Sequence, residues 1–119
     1  MVGVDMRMAS IVIPDVSDDG QIFVHIQREV VETFIKEFGG ATMYECMGFW
    51  SMSQRQISCS KIDVAFHTTH ENIHRFMGIV KMVADECAEG GVHSIMAIKP
   101  DGTVIFVEGD LYDGTKKNN

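Results

Sequence analysis

Residues 41–68, ATMYECMGFWSMSQRQISCSKIDVAFHT, decide the fold, because no helical stripe runs through them. From 41 to 51, Thr42, Tyr44 and Cys46 fall on one side and Met43, Glu45 and Met47 on the other. That is the two-residue period of a strand. From 57 to 68 the alternation returns, with Ile62, Val64 and Phe66 opposite Lys61, Asp63 and Ala65. The polar residues 51–56 between the two runs make a hairpin the simplest connection.

Working upstream, the apolar residues Phe23, Ile26, Val30, Phe34 and Phe38, flanked by Val31 and Ile35, repeat at helical spacing over 22–38. Asp18-x-x-Gln21 has the form of a capping box at the start. Glu32 and Lys36 make an i,i+4 pair in the favourable order, and Gly39-Gly40 supplies a stop that accepts positive φ. Before this helix, residues 9–16 form a short Ile/Val run that ends at Pro14-Asp15 and reads as a buried strand. Downstream, Thr68-x-x-Glu71 is a second capping box. It opens a helix whose apolar positions Ile73, Phe76, Met77, Val80, Val83, Ala84 and Cys87 run to Gly90-Gly91. Asp85, Glu86 and Glu89 crowd its end, where the helix dipole disfavours anions. Residues 92–98 and 103–108 read as strands joined by Lys99-Pro100-Asp101-Gly102, with proline and glycine in turn-forming places.

The resulting order is an α+β, ferredoxin-like βαββαβ sheet with two helices on one face and an extra C-terminal strand. With 119 residues there is room for one domain. The expected division is a loose extension over 1–8, the domain over 9–108 and a polar tail over 109–119.

Composition removes several function classes. Seventeen acidic against ten basic residues give a net charge of −7, which repels a phosphate backbone, so no nucleic-acid partner is expected. No apolar run approaches the roughly 20 residues that span a bilayer, and the first ten residues lack a signal-peptide apolar region. A cytoplasmic location and no membrane partner are the expectation. Cys46, Cys59 and Cys87 form no C-x-x-C pair, and their odd number argues for reduced thiols over a disulfide framework. Nine methionines suit irregular core gaps or an adaptable binding surface.

Two constellations carry chemistry. His70-Glu71-Asn72-Ile73-His74 matches H-E-x-x-H, which on a helix places two imidazoles one turn apart beside a potential base. Here the motif begins at the helix cap, Glu71 is the third residue of the capping box, and Arg75 puts a cation beside the second histidine. Glu86 and Glu89 lie more than two turns further along the same helix, so His67 is the better third ligand. The candidate metal set is His67, His70 and His74, set against the commoner reading of unligated surface histidines. No cofactor is expected, with zinc the possible exception. His25 and His93 are lone residues.

The second constellation is the hairpin tip, 48–56, which gathers Phe49, the sole tryptophan Trp50, Gln54 and Arg55. Such a tip can stack a planar ring and grip a carboxylate or phosphate. Aromatics there can equally close an oligomer interface or cap the core. No glycine-rich phosphate cradle, Ser-His-Asp order or nucleophile elbow is present, and Cys59 has no basic neighbour except Lys61.

Glu29-Val30-Val31, Phe38-Gly39-Gly40-Ala41-Thr42, Gly48-Phe49-Trp50, Gly91-Val92 and Asp101-Gly102-Thr103-Val104 together resemble small bacterial and phage domains of the PII-like branch of the ferredoxin fold. The resemblance covers about residues 9–108 and rests on short glycine and tryptophan landmarks. It implies a homotrimer with nucleotide-type ligands held in clefts between subunits, and it points to 49–56 as part of that cleft. Similar phage proteins include S-adenosylmethionine lyases, which form methylthioadenosine and homoserine lactone. Those enzymes carry a glutamate just before the third strand, where this sequence reads Ser58-Cys59-Ser60. The connection between the second and third strands is also shorter than a PII signalling loop and lacks its basic residues. In such a cleft Arg55 or Lys61 would orient a carboxylate, Trp50 or Tyr44 would stack adenine or face a sulfonium, and Glu45 would balance the positive charge. The expected ligand-binding residues are therefore Tyr44, Glu45, Phe49, Trp50, Gln54, Arg55 and Lys61. The first reading is a trimeric binder of an adenosyl or nucleotide-like molecule. The alternatives are a lyase and a host-directed interaction module acting through its acidic surface.

Overall fold

A computed structural model describes residues 5–17, 20–50 and 55–111, excluding the side chains of Trp50 and Arg55. The elements follow in the order β1 (Arg7–Pro14), α1 (Val24–Phe38), β2 (Thr42–Trp50), β3 (Arg55–Phe66), α2 (His70–Glu89), β4 (Ser94–Ile98) and β5 (Val104–Glu108). One sheet holds the strands in the order β2-β3-β1-β4-β5, every neighbour antiparallel. The β1-α1-β2 crossover leaves room for β3, and β3-α2-β4 leaves room for β1. This interleaving is the ferredoxin-like plan, and β5 extends it past β4 through the Lys99–Thr103 turn. There Gly102 takes φ 88° and donates its N–H to the Lys99 carbonyl at 2.8 Å.

Register sorts the side chains. Ile11 lies opposite both Ile62 and Ala97, so Ala9, Ile11, Ile13, Ile62, Val64, Phe66, Ile95 and Ala97 share one face, where all are buried. Against it α1 lays Ile26, Val30 and Phe34, and α2 lays Phe76, Val80, Val83, Ala84 and Cys87. Phe34, Phe38, Phe66 and Phe76 meet between the layers with ring centroids 4.7–6.2 Å apart. Each such side chain contributes about 1.5–3 kcal/mol of burial. Buried Gln27 ties α1 to the end of β1, donating from Nε2 to the Ile13 carbonyl (3.2 Å) and the Asp15 carboxylate (2.7 Å).

Several boundaries differ from the sequence expectation for identifiable reasons. α1 starts at Val24, because Ile22 pairs with Val16 in a bridge and the Gln21 N–H bonds the Ser17 hydroxyl at 2.9 Å. The Asp18-x-x-Gln21 box lies partly outside the described residues. Ile35 projects outward, since burial follows the 26-30-34 row. The end of α1 is as expected, with Gly39 at φ 93° returning its N–H to the Ile35 carbonyl. α2 is capped by Thr69, whose hydroxyl accepts the Asn72 N–H at 3.1 Å. The Asn72 side chain also donates to the His67 carbonyl at 2.9 Å and fixes that choice over Thr68. Glu71, released from a capping-box role, pairs with Arg75 at 3.1 Å.

β1 begins at Arg7, because Arg7 and Met8 pair with Phe66 and Ala65. β3 begins at Arg55, because the ladder with β2 continues to Trp50. Ser58-Cys59-Ser60 therefore lies inside β3 and not before it. The anions at the end of α2 are partly compensated. Asp85 accepts from Lys81 Nζ at 2.9 Å and from the Asp110 N–H at 2.7 Å. These bonds strap the chain beyond β5 to α2, and Gly109 permits the approach: a Cβ there would lie 2.0 Å from the Ala84 carbonyl oxygen.

Candidate functional site

The face of the sheet opposite the helices carries the remaining alternate residues. Among them are Ser10 and Val12 of β1, Tyr44 and Cys46 of β2, Ile57, Cys59, Lys61 and Asp63 of β3, Met96 of β4 and Phe106 of β5. Where β1 and β2 end and β3 and β4 begin, a cavity of about 600 Å³ opens, with Val12, Met47, Phe49, Ile57, Met96 and Phe106 in its largely apolar wall. Lys61 and His93 are its basic side chains, and Cys46 and Cys59 also line it. A largely apolar molecule carrying an anionic group fits that composition.

Beside the cavity is a polar cluster fixed by register. Ser10 pairs with Asp63 across β1 and β3, and Tyr44 pairs with Lys61 across β2 and β3. The Ser10 and Tyr44 hydroxyls both donate to the Asp63 carboxylate, which is only 8% exposed. Lys61 Nζ sits 3.8 Å from the same carboxylate and 5.5 Å from the centre of the Tyr44 ring. Hydrogen bonding with Tyr44, and then the charge of Asp63, hold the Lys61 ammonium above its ordinary pKa against the opposing effect of partial burial. The cluster is a fixed cation backed by a satisfied buried anion.

Cys46 and Cys59 are also direct partners across β2 and β3, with sulfurs 2.8 Å apart. Burial, then the neighbouring Cys46 thiol, push the Cys59 thiol up to about 12, so it is not an activated nucleophile.

Of the residues expected from sequence, Phe49 and Lys61 line the cavity and Tyr44 joins Lys61 at Asp63. Glu45 is on the other side of β2, paired with Ser60, and is not brought to Tyr44 and Lys61. Trp50 and Arg55 pair through their backbones at the end of the hairpin, and Gln54 lies outside the described residues. His67 bonds through Nδ1 to the Asp5 carbonyl at 3.1 Å, and His70 and His74 are exposed on the first turns of α2. Among the described residues no three His, Cys, Asp or Glu side chains are grouped to hold a metal ion. No described helix is long and apolar enough to cross a membrane.

Sequence reasoning missed Asp63, Ser10 and the Cys46–Cys59 pair as site elements. A serine within an Ile/Val strand and an aspartate between Ile62 and Val64 were the available signals. Their partnership depends on register, which alternation alone does not set.

Comparison with known proteins adds one likeness. The fold matches that of a phage SAM lyase solved in complex with S-methyl-5'-thioadenosine, with TM-score 0.56 and 13% identity over 95% of this chain and 97% of the other. No protein-family model and no curated protein matches the sequence.

Proposed function

We propose that this protein binds a small adenosyl or nucleotide-like molecule at the cavity on the open sheet face, as a PII-like homotrimer whose neighbouring subunits complete the site. The observation that carries the reading is the largely apolar cavity with Lys61 at its wall, in a fold shared with a lyase that holds methylthioadenosine. A purine needs apolar walls, which Ile57, Met96 and Phe106 offer, and the amino-acid carboxylate or phosphate of such a ligand needs a fixed cation. Phe49 is 70% exposed in the single chain, and a second copy packed across the hairpin would cover it. Calorimetric titration with S-adenosylmethionine, methylthioadenosine and ATP tests the ligand, and light scattering tests the trimer. Saturable binding weakened by Lys61→Ala supports the site. Absence of binding by all three would move the function to a protein partner met by the acidic surface.

A second reading, S-adenosylmethionine lyase, draws on the buried Asp63 held by Ser10 and Tyr44 beside Lys61. Intramolecular attack by the substrate's own carboxylate requires orientation in a dry site more than a strong base. Chromatographic detection of methylthioadenosine and homoserine lactone after incubation with S-adenosylmethionine separates lyase from binder.

A further inference from the structure

Cys46 and Cys59 face each other in the β2–β3 ladder, and both line the cavity. Directly opposed residues of antiparallel strands have Cα atoms about 4.5 or 5.5 Å apart, inside the disulfide window of roughly 4.4–6.8 Å. The sulfurs stand 2.8 Å apart, so reaching the covalent length of about 2.05 Å requires them to close by less than ~1 Å. No change of register is needed. Cys87, the third cysteine, is fully buried on α2 within the helix-side core and shares neither strand with this pair.

We infer that Cys46 and Cys59 form a redox-sensitive dithiol whose oxidation to a disulfide locks the hairpin that walls the cavity. The oxidant class is a low-molecular-weight disulfide. The half-buried Cys46 thiolate attacks one sulfur of that disulfide, forming a mixed disulfide and releasing one small thiolate. The released thiolate accepts the Cys59 proton. The Cys59 thiolate then attacks the Cys46 sulfur, forming the protein S–S bond and expelling the second small thiolate, which takes up the proton that Cys46 gave to solvent on ionising. Two protein thiols are oxidised and one small disulfide is reduced to two thiols, so electrons and protons balance. The high pKa of Cys59 fits this order, since Cys46 is the more accessible sulfur and Cys59 reacts only once its partner is activated beside it. The bond pins β2 to β3 at the Cys46–Cys59 pair, and cross-linking a loop removes freedom from the unfolded chain.

Incubation of the full chain with oxidised glutathione, followed by intact-mass measurement and tryptic mapping without reductant, tests the assignment. Trypsin cuts after Arg55, between the two cysteines, so the disulfide joins two otherwise separate peptides. The expected result is loss of two hydrogens per chain, a Cys46–Cys59 linked peptide reversed by dithiothreitol, and a Tm higher by roughly 5–15 °C in the oxidised form. Cys59→Ser should stop at the glutathione adduct on Cys46 and show no such Tm rise. The inference is overturned if the wild-type chain stays fully reduced, stops at a glutathione adduct, or links either cysteine to Cys87 or to another chain. The mapping needs neither a variant nor a ligand, so its result is independent of the proposed adenosyl site.

Discussion

The side of the sheet that α1 and α2 cover and the side they leave open are made from alternate residues of the same strands, yet they solve different problems. On the covered side Ala9, Ile11, Ile13, Ile62, Val64 and Phe66 meet apolar helix residues, and volume and shape decide which side chains fit. On the open side Ser10, Lys61, Asp63, Tyr44, Cys46 and Cys59 are interspersed with Val12, Met96 and Phe106. There, cross-strand partners decide which polar groups are satisfied. A one-residue slip of β3 would exchange the two sets. The buried apolar row therefore holds the register that brings Tyr44, Lys61 and Asp63 together, and the chemistry of one face depends on the packing of the other.

The largest effect that separates the two sides comes from Phe76→Ala. Phe76 is fully buried between Phe34 and Phe66, and its truncation should cost about 3–5 kcal/mol in urea unfolding. Under folding conditions affinity for the proposed ligand should stay at the wild-type value. A large affinity loss in a folded Phe76→Ala chain would show that the helix layer shapes the cavity directly and would break the division between the faces.

Asp63→Ala attacks the open side with a smaller stability cost. It leaves the Ser10 and Tyr44 hydroxyls without their shared acceptor, a loss of roughly 1–3 kcal/mol. Because the same carboxylate anchors Lys61 and Tyr44, affinity for the proposed adenosyl ligand should fall with it. A double-mutant cycle with Tyr44→Phe should report a coupling of about 0.5–3 kcal/mol. Additive losses would mean that Tyr44 and Asp63 act separately.

How far the fold could be read from sequence follows the same division. The covered side was legible because its signal is local periodicity. The alternation at 62-64-66 and the helical rows at 26-30-34 and 76-80-83 each mark a buried face without reference to any other strand. The order of elements along the chain, the hairpin and the fifth strand followed from that pattern and its turn residues. The candidate site was only partly legible. Phe49, Tyr44 and Lys61 were flagged by residue type, and so was Glu45, although the alternation over 41–51 already set it on the side of β2 opposite Tyr44. Asp63 and Ser10 acquire meaning only as partners 53 residues apart. The anion-crowded end of α2 was unreadable for the same reason, since Asp110, beyond β5, supplies the N–H that Asp85 accepts.

The capping choice at α2 is a local misreading with a clean test. Thr69→Ala should cost about 1 kcal/mol, whereas Thr68→Ala should stay within about 0.5 kcal/mol of wild type. Equal effects in urea unfolding would restore Thr68 as a cap and return Glu71 to the capping box.

The smallest effect contrasts two ways of placing a carboxylate. On the open side Asp63 has hydroxyl donors. On the helix side Glu86 of α2 faces Glu29 of α1, and burial first, then the Glu29 charge, raise its pKa above the ordinary value of 4.5. An acid whose folded pKa is raised binds its proton more tightly in the native state. Its effect on stability is therefore most favourable at low pH and is lost as pH climbs from 4.5 through the raised folded value. Asp85 has the opposite sign: the Asp110 N–H, then Lys81, lower its pKa below 3.8. Its contribution is present above 3.8 and is lost as pH falls through the depressed value. Between pH 4.5 and 7 the two windows do not overlap, so the difference there between wild type and Glu86→Gln reports Glu86 and not Asp85. Glu86→Gln should flatten the wild-type decline and, after discounting for solvent screening, stabilise the protein at pH 7 by roughly 0.2–1 kcal/mol. A variant with an unchanged slope would show that neither burial nor the Glu29 charge raises Glu86 in solution, and the helix side would then hold no unfavourable carboxylate to set against Asp63.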